Sequence, residues 1–595
     1  MADNYKITQY SVSTILGYVE NSQIAIPEIQ RPFVWKGQEV RDLIDSLYEG
    51  YPIGYLIVWQ NSQVRIRGFG KGGTKKILID GQQRVTALMA ALLGREVLDS
   101  QYRSHRIKIA FYPLAQPGEE KFAVSDASYE DKPGWIPDIS VLFRRDFSFR
   151  KFEKEYKEKN PDLDTSLLEA AIDRLKGIVK HQVGVIELSF LLDIDVVSEI
   201  FIRINLQGKP LNQEDFAMSK ISVNEQYDGD LIRNCIDYFC HLIKEPSFMT
   251  ILKANEKEFM ETEYGRLLGW LQKGEELLYV PSYSDVLKVV LIAGFGKSKI
   301  GDLVNLLSGK TKDKTFARGE VSQKVAKEAF ETLGRGVRAF VSEENYKGFL
   351  KALRRAGYTS ERLLYSQAVL NYCYAMYLLM DMEGLPSDKK ESLMGRWMTM
   401  CLITGHYQST PDTVVMKDYK EIREAGMESY LRQIEELRLG EEFFASVLPE
   451  KFTSTTARTA PYLAYLAAQT ASGTLSLYSG ENTVGGLYAA KAEAYQILPK
   501  AYLEKCGFKT RETYGQVANL TYISKDVKAI VRRKSPANYR EELEKQLSAE
   551  EIQASLAAND IPENIFDADA GSVPEILAER RRKMARKIQN HYYSL

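Results

Sequence analysis

The spacing of apolar positions changes several times along the chain, and each change predicts a different element. "SVSTILGYVENSQ" reads as a short helix started by Ser or Thr caps. In "IAIPEIQRPFVWKGQEV" two prolines and an aromatic pair exclude a regular helix, so the segment is a loop carrying specific side chains. "EVRDLIDSLYEGYPIG" puts Val40, Leu43, Ile44 and Leu47 on one face of a helix ending at Gly50. The apolar runs "YLIVWQ" and "KKILID" predict two strands, and the Gly-rich stretch between them a hairpin-like connection. "DGQQRVTALMAALLG" follows at once as a turn and an apolar helix.

Further strands are expected in "RIKIAFYPL" and "VGVIELSFL", and a helix, turn and helix in "DIDVVSEIFIRINLQGKPLNQEDFAMSKI". From about residue 225 to 450 nearly every segment has helical spacing, broken by exposed loops at "SGKTKDKTFARGEVS" and "DMEGLPSDKK". Near residue 450 the composition shifts to Thr, Ser, Ala and Gly. Three parts follow from this reading: 1–225, 226–454 and 455–595.

Composition adds exclusions. With 79 Lys and Arg against 80 Asp and Glu in 595 residues, any site for a polyanion must be local. Five Cys form no CxxC pair and suggest a reducing compartment, and Cys235 and Cys240 are expected as buried small hydrophobes rather than metal ligands. The first residues lack the basic segment and apolar run of a signal peptide, and no stretch has the roughly 18 apolar residues of a membrane span. A cytoplasmic protein without a membrane partner is the expectation.

Three polar constellations carry candidate chemistry: Gln30, Arg31 and Trp35; Asp80, Gln82, Gln83 and Arg84; and Arg203 with Asn205. Arg offers a planar fork of donors for phosphate, Gln binds a phosphate or a base edge, and Asp holds a hydroxyl or a water. A strand leading through a Gly turn into a helix N-terminus favours an anion, although many such junctions are inert. The alternative is that Asp80 pairs with Arg31 in a buried network that serves folding only, or forms a buried pair with Arg84 in a purely structural protein.

"IPEIQRPFVWKGQEVRDLIDSLYEGYPIGYLIVW", "ILIDGQQRVTALMAALLG" and "IFIRINLQGKPLNQEDFAMSKI" closely resemble, in order and spacing, the N-terminal domain of GmrSD-type restriction proteins. The resemblance implies an α+β fold with a ParB/sulfiredoxin-like core, a largely helical middle and an HNH-like C-terminal domain. It also implies a nucleoside triphosphate, with Mg2+, bound and hydrolysed at the Asp-Gly-Gln-Gln-Arg turn, and a role in bacterial defence against foreign or modified phage DNA. Carried over residue by residue, Asp80, Gln83 and Arg84 are the candidate catalytic groups. Gln30, Arg31, Gln82, Arg203 and Asn205 are the candidate nucleotide-binding ones. Arg84, Arg31 and Arg203 would hold phosphate oxygens, and Asp80 would orient a water or a magnesium aquo-ion. No dedicated metal cage is visible.

"YQILPKAYLEKCGF" and "GQVANLTYISKDVKAIVRRKSPANYREELE" resemble that family's HNH nuclease domain, with departures. The family's His-His pair is replaced by Tyr495 and Gln496. Asn519 is kept, and Val527 stands where a last polar residue is expected. HNH chemistry needs a histidine base and N or O ligands for a divalent ion. The replacements imply a nuclease fold without nuclease activity. Of the five His (His105, His181, His241, His406 and His591) just one follows residue 455, and His591 is expected on the surface.

Basic clusters in "VKAIVRRK" and "ERRRKMARK" suit DNA phosphates. The leading expectation is therefore a nucleotide-binding, DNA-recognising defence protein, acting with a partner nuclease or further defence subunit, or as a homo-oligomer. The alternatives are an active metal-dependent endonuclease and a structural subunit of a defence complex.

Overall fold

The computed structural model describes residues 4–595 apart from residues 22, 26–32, 34, 62–74, 99–103, 117, 162–163, 193–195, 198–199, 201–212, 223, 275–277, 311–319 and 532–533. It is a mixture of helices and small sheets in two compact units, Met1–Asp230 and Leu231–Leu595.

The first unit is built on a five-stranded mixed sheet. Its spatial order is Tyr5–Ser11, Gln182–Leu188, Leu56–Asn61, Lys75–Asp80, Ile24–Ala25. Leu56–Asn61 runs antiparallel to Lys75–Asp80 and parallel to Gln182–Leu188, so the two strands expected as a hairpin do pair, and a strand from over a hundred residues on lies beside them. Alternation along the three central strands gives the sheet two apolar faces. Leu56, Val58, Leu78, Val183 and Val185 join a core with the helices Val12–Glu20, Gly37–Tyr48 and Gln82–Leu93. Ile57, Trp59, Ile77 and Leu188 form a smaller cluster with Val197.

The helices start and stop where local chemistry dictates. Ser11 caps Val12–Glu20 by accepting from the Thr14 N–H. Gly37–Tyr48 buries Val40, Leu43, Ile44 and Leu47, the predicted face, and stops just before Gly50, whose φ is 78°. Gln82–Leu93 lies between Gly81 and Gly94, both with positive φ.

In the second unit, Tyr283–Phe295, Glu320–Val341, Glu343–Arg355, Gln367–Met382 and Ser387–Thr404 pack around fully buried aromatics, among them Tyr279, Tyr346, Tyr374 and Trp397. Cys235 and Cys240 are buried, and burial pushes both thiols well up. Ala460–Ala471 contacts both Ser387–Thr404 and Val573–Ser594, so chain on either side of residue 455 packs together. Towards the C-terminus, the short strands Tyr495–Gln496 and Leu520–Thr521 pair antiparallel and the helix Lys525–Val531 follows. Among the described residues no helix is long and apolar enough to cross a membrane.

Candidate functional site

The Asp80–Arg84 turn is set by a bulge and two glycines. Ile57 pairs with Asp80 but Val58 with Leu78, so Ile79 is an extra residue that shifts the register just before the turn. Gly81, at φ 94°, turns the chain into the helix, and its Cβ position would lie 2.2 Å from Leu56 Cδ2. Only glycine fits there without moving the sheet core.

Arg84 sits in the first turn of that helix. It donates from Nη2 to Asp80 Oδ2 at 3.0 Å and from Nη1 to the Ile53 carbonyl at 2.9 Å. The Ile53 carbonyl is reached because Gly54, at φ 86°, leaves room: a Cβ there would come within 2.6 Å of Arg84 Nη1. The two side chains keep 19% and 26% of their exposure, Arg84 and Asp80 respectively, so neither is sealed off. Guanidinium has five N–H donors, and these contacts use two. The first-turn backbone N–H groups of the helix have no acceptor within it, as at every helix start.

The other expected residues divide. Gln82 is buried, and its amide donates inward to the Leu78 carbonyl at 3.1 Å, which commits it to the strand it follows. Gln83 is half-buried on the same turn. Trp35 packs against the core. Gln30, Arg31, Arg203 and Asn205 lie outside the described residues.

Sequence reasoning missed Ile53 and Gly54 as the supports of Arg84; the Gly in "YPIG" is the signal that could have found them. It also missed a charged cluster at the far end of Lys75–Asp80. There Glu187, almost fully buried, takes an ion pair from Lys6 at 2.8 Å and bonds from Lys76 at 2.5 Å and Tyr10. Burial pushes the Glu187 carboxyl up, but the bonds from Lys6, Lys76 and Tyr10 outweigh it and hold the group down at about 2. A lone Glu inside the apolar run "VGVIELSFL" was its signal.

The C-terminal positions behave differently. Asn519 is fully buried; its Oδ1 accepts the Leu498 N–H at 2.9 Å, and its amide donates to the Leu498 and Tyr514 carbonyls at 2.9 and 3.0 Å. Gln496 donates to the Tyr514 carbonyl and accepts the Lys500 N–H. The Tyr495 hydroxyl donates to the Val531 carbonyl, and burial pushes it up to about 12. Val527 belongs to the apolar core of this region. Among the described residues no three His, Cys, Asp or Glu gather as metal ligands. His591 departs from expectation: it is half-buried, shares a 3.1 Å hydrogen bond with the Ala356 carbonyl, and burial pulls its ring below the usual imidazole range.

Comparison with curated proteins finds no match. Comparison with family models does: residues 12–222 match the GmrSD restriction endonuclease N-terminal domain. The matched span runs from the first helix through the Asp80–Arg84 turn to the end of Gln213–Ser222. Residues 12–222 are thus similar to the N-terminal domain of GmrSD restriction endonucleases.

Proposed function

We propose that the chain is an anti-phage defence protein whose N-terminal domain binds and hydrolyses a nucleoside triphosphate at the Asp80–Arg84 turn, and which recognises foreign or modified DNA. The observation that carries the first half is the donor capacity of Arg84. Its guanidinium is held at two points yet has three further N–H donors, beside a helix N-terminus that favours anions. Arg84 would bind phosphate oxygens. Gln83 would position a phosphate or a water, and Asp80, oriented by Arg84, would hold the water or a water of the nucleotide's Mg2+. The fit for Mg2+ is through the triphosphate: Asp80 is the one carboxylate in the turn, too few for a protein-built cage. Gln30, Arg31, Arg203 and Asn205 are proposed to complete the pocket.

The core is proposed to be ParB/sulfiredoxin-like, with a helical middle and an HNH-like last part divided near residues 225 and 455. The strand, strand and helix at 495–531 support that likeness. Tyr495 and Val527 offer neither a base at neutral pH nor a ligand, so this domain serves DNA recognition rather than cutting. A cytoplasmic setting and a partner nuclease follow from the same reading. Nucleotide and DNA would each change affinity for the other, since coupling between sites is reciprocal.

The purely structural reading is favoured by one observation, the 3.0 Å Asp80–Arg84 pair. Calorimetric titration of the four triphosphates with magnesium separates the two. The proposal expects binding by the wild type and its loss in Arg84→Ala; a wild type that binds none leaves the pair as scaffold alone.

A further inference from the structure

The C-terminal helix Val573–Ser594 carries two stripes. Ile576, Leu577, Arg580, Met584, Ile588 and Tyr592 recur at helical spacing and are buried. Lys583, Arg586, Lys587, Asn590, His591 and Ser594 recur at the same spacing on an adjacent face and line a cleft of about 540 Å3. Ala468, Ala471 and Ser472, and Arg355 at the end of Glu343–Arg355, also line it.

The basic run "ERRRKMARK" is thereby divided. Arg580 donates to the Ala518 carbonyl and Arg581 to Gln516, so these two serve the fold, while Arg582 pairs with Glu575 at the surface. In the cleft, Lys587 is paired with Asp560 at 3.0 Å and Lys583 with Glu579 at 3.1 Å. Arg355 and Arg586 make no ion pair among the described residues. His591 also lines the cleft and shares its ring Nε2 hydrogen bond with the Ala356 carbonyl.

Asp560, the acidic side chain lining the cleft, is held by Lys587, and the two exposed guanidinium groups, flanked by Asn and Ser side chains, suit phosphate oxygens. We propose that this cleft grips the phosphodiester backbone of DNA, with Arg355 and Arg586 as the phosphate-binding residues. The proposal rests on the DNA-recognition reading above and locates its backbone contact. Such contacts hold the duplex without reading its sequence.

The test is binding of a short duplex by the full chain over a salt series, for the wild type, Arg355→Gln/Arg586→Gln, and Arg355→Lys/Arg586→Lys. The glutamine variant should lose about tenfold in affinity, with a salt slope flatter by about two, and keep its melting temperature. The lysine variant should keep most of the affinity. Unchanged affinity and slope in the glutamine variant would overturn the cleft assignment and leave DNA recognition standing. A wild type that does not bind DNA would overturn both. Loss of free-triphosphate binding in the glutamine variant, with duplex binding intact, would assign the cleft to a nucleotide and overturn it as well.

Discussion

The Asp80–Arg84 turn and the segment at Asn519 are two polar motifs in apolar surroundings, and their hydrogen bonds are spent differently. Asn519 uses its carbonyl oxygen and both amide hydrogens on the backbone of residues 498 and 514, and is fully buried. Arg84 uses two of five donors and stays partly exposed. A polar residue whose capacity is consumed inside the fold is a strut. One held at two points with donors to spare is oriented and still able to bind. Residue type alone does not distinguish them; the partner count does.

Four substitutions break or sharpen this contrast. Asn519→Ala should cost the most, about 3–5 kcal/mol, because it strands the buried Leu498 N–H and carbonyl and leaves the Tyr514 carbonyl with Gln496 alone. Urea unfolding of the full chain measures it. Gly81→Ala should cost about 2–3 kcal/mol, since the new Cβ meets Leu56 at 2.2 Å in a left-handed conformation. It should also disturb Arg84, which a nucleotide titration reads.

Glu187→Gln removes the buried charge at the other end of the strand. The folded carboxyl titrates near 2 against 4.5 ordinarily, so its stabilisation is full above pH 4.5 and is lost as pH falls towards 2. The full shift is discounted because Lys6 is 72% exposed, leaving about 2 kcal/mol. Acid titration of stability should show a shallower fall for Glu187→Gln than for the wild type across that window. Arg84→Ala should cost the least stability, about 1 kcal/mol, while removing nucleotide binding.

Much of this was legible in the chain. "YLIVWQ" and "KKILID" pair as strands, and the four apolar positions of Gly37–Tyr48 are its buried face, because period-2 and period-3.6 patterns record burial locally. The Asp80–Arg84 pair was legible as the scaffold alternative, since residues four apart on one turn meet. What was hidden depends on residues distant in sequence. Tyr10 and Glu187 meet across 177 positions, and His591 is covered through Ala356, 235 positions away. Gln82 looked like part of the site, but a helix-start side chain can equally fold back on its own strand, and it does.

The most direct test of the contrast is one nucleotide titration run on the wild type, Arg84→Ala and Asn519→Ala, each as the full chain. The account predicts triphosphate binding in the wild type and in Asn519→Ala under conditions where it is folded, and none in Arg84→Ala. Binding that survives in Arg84→Ala would show that the spare donors of Arg84 hold no phosphate and would contradict the account.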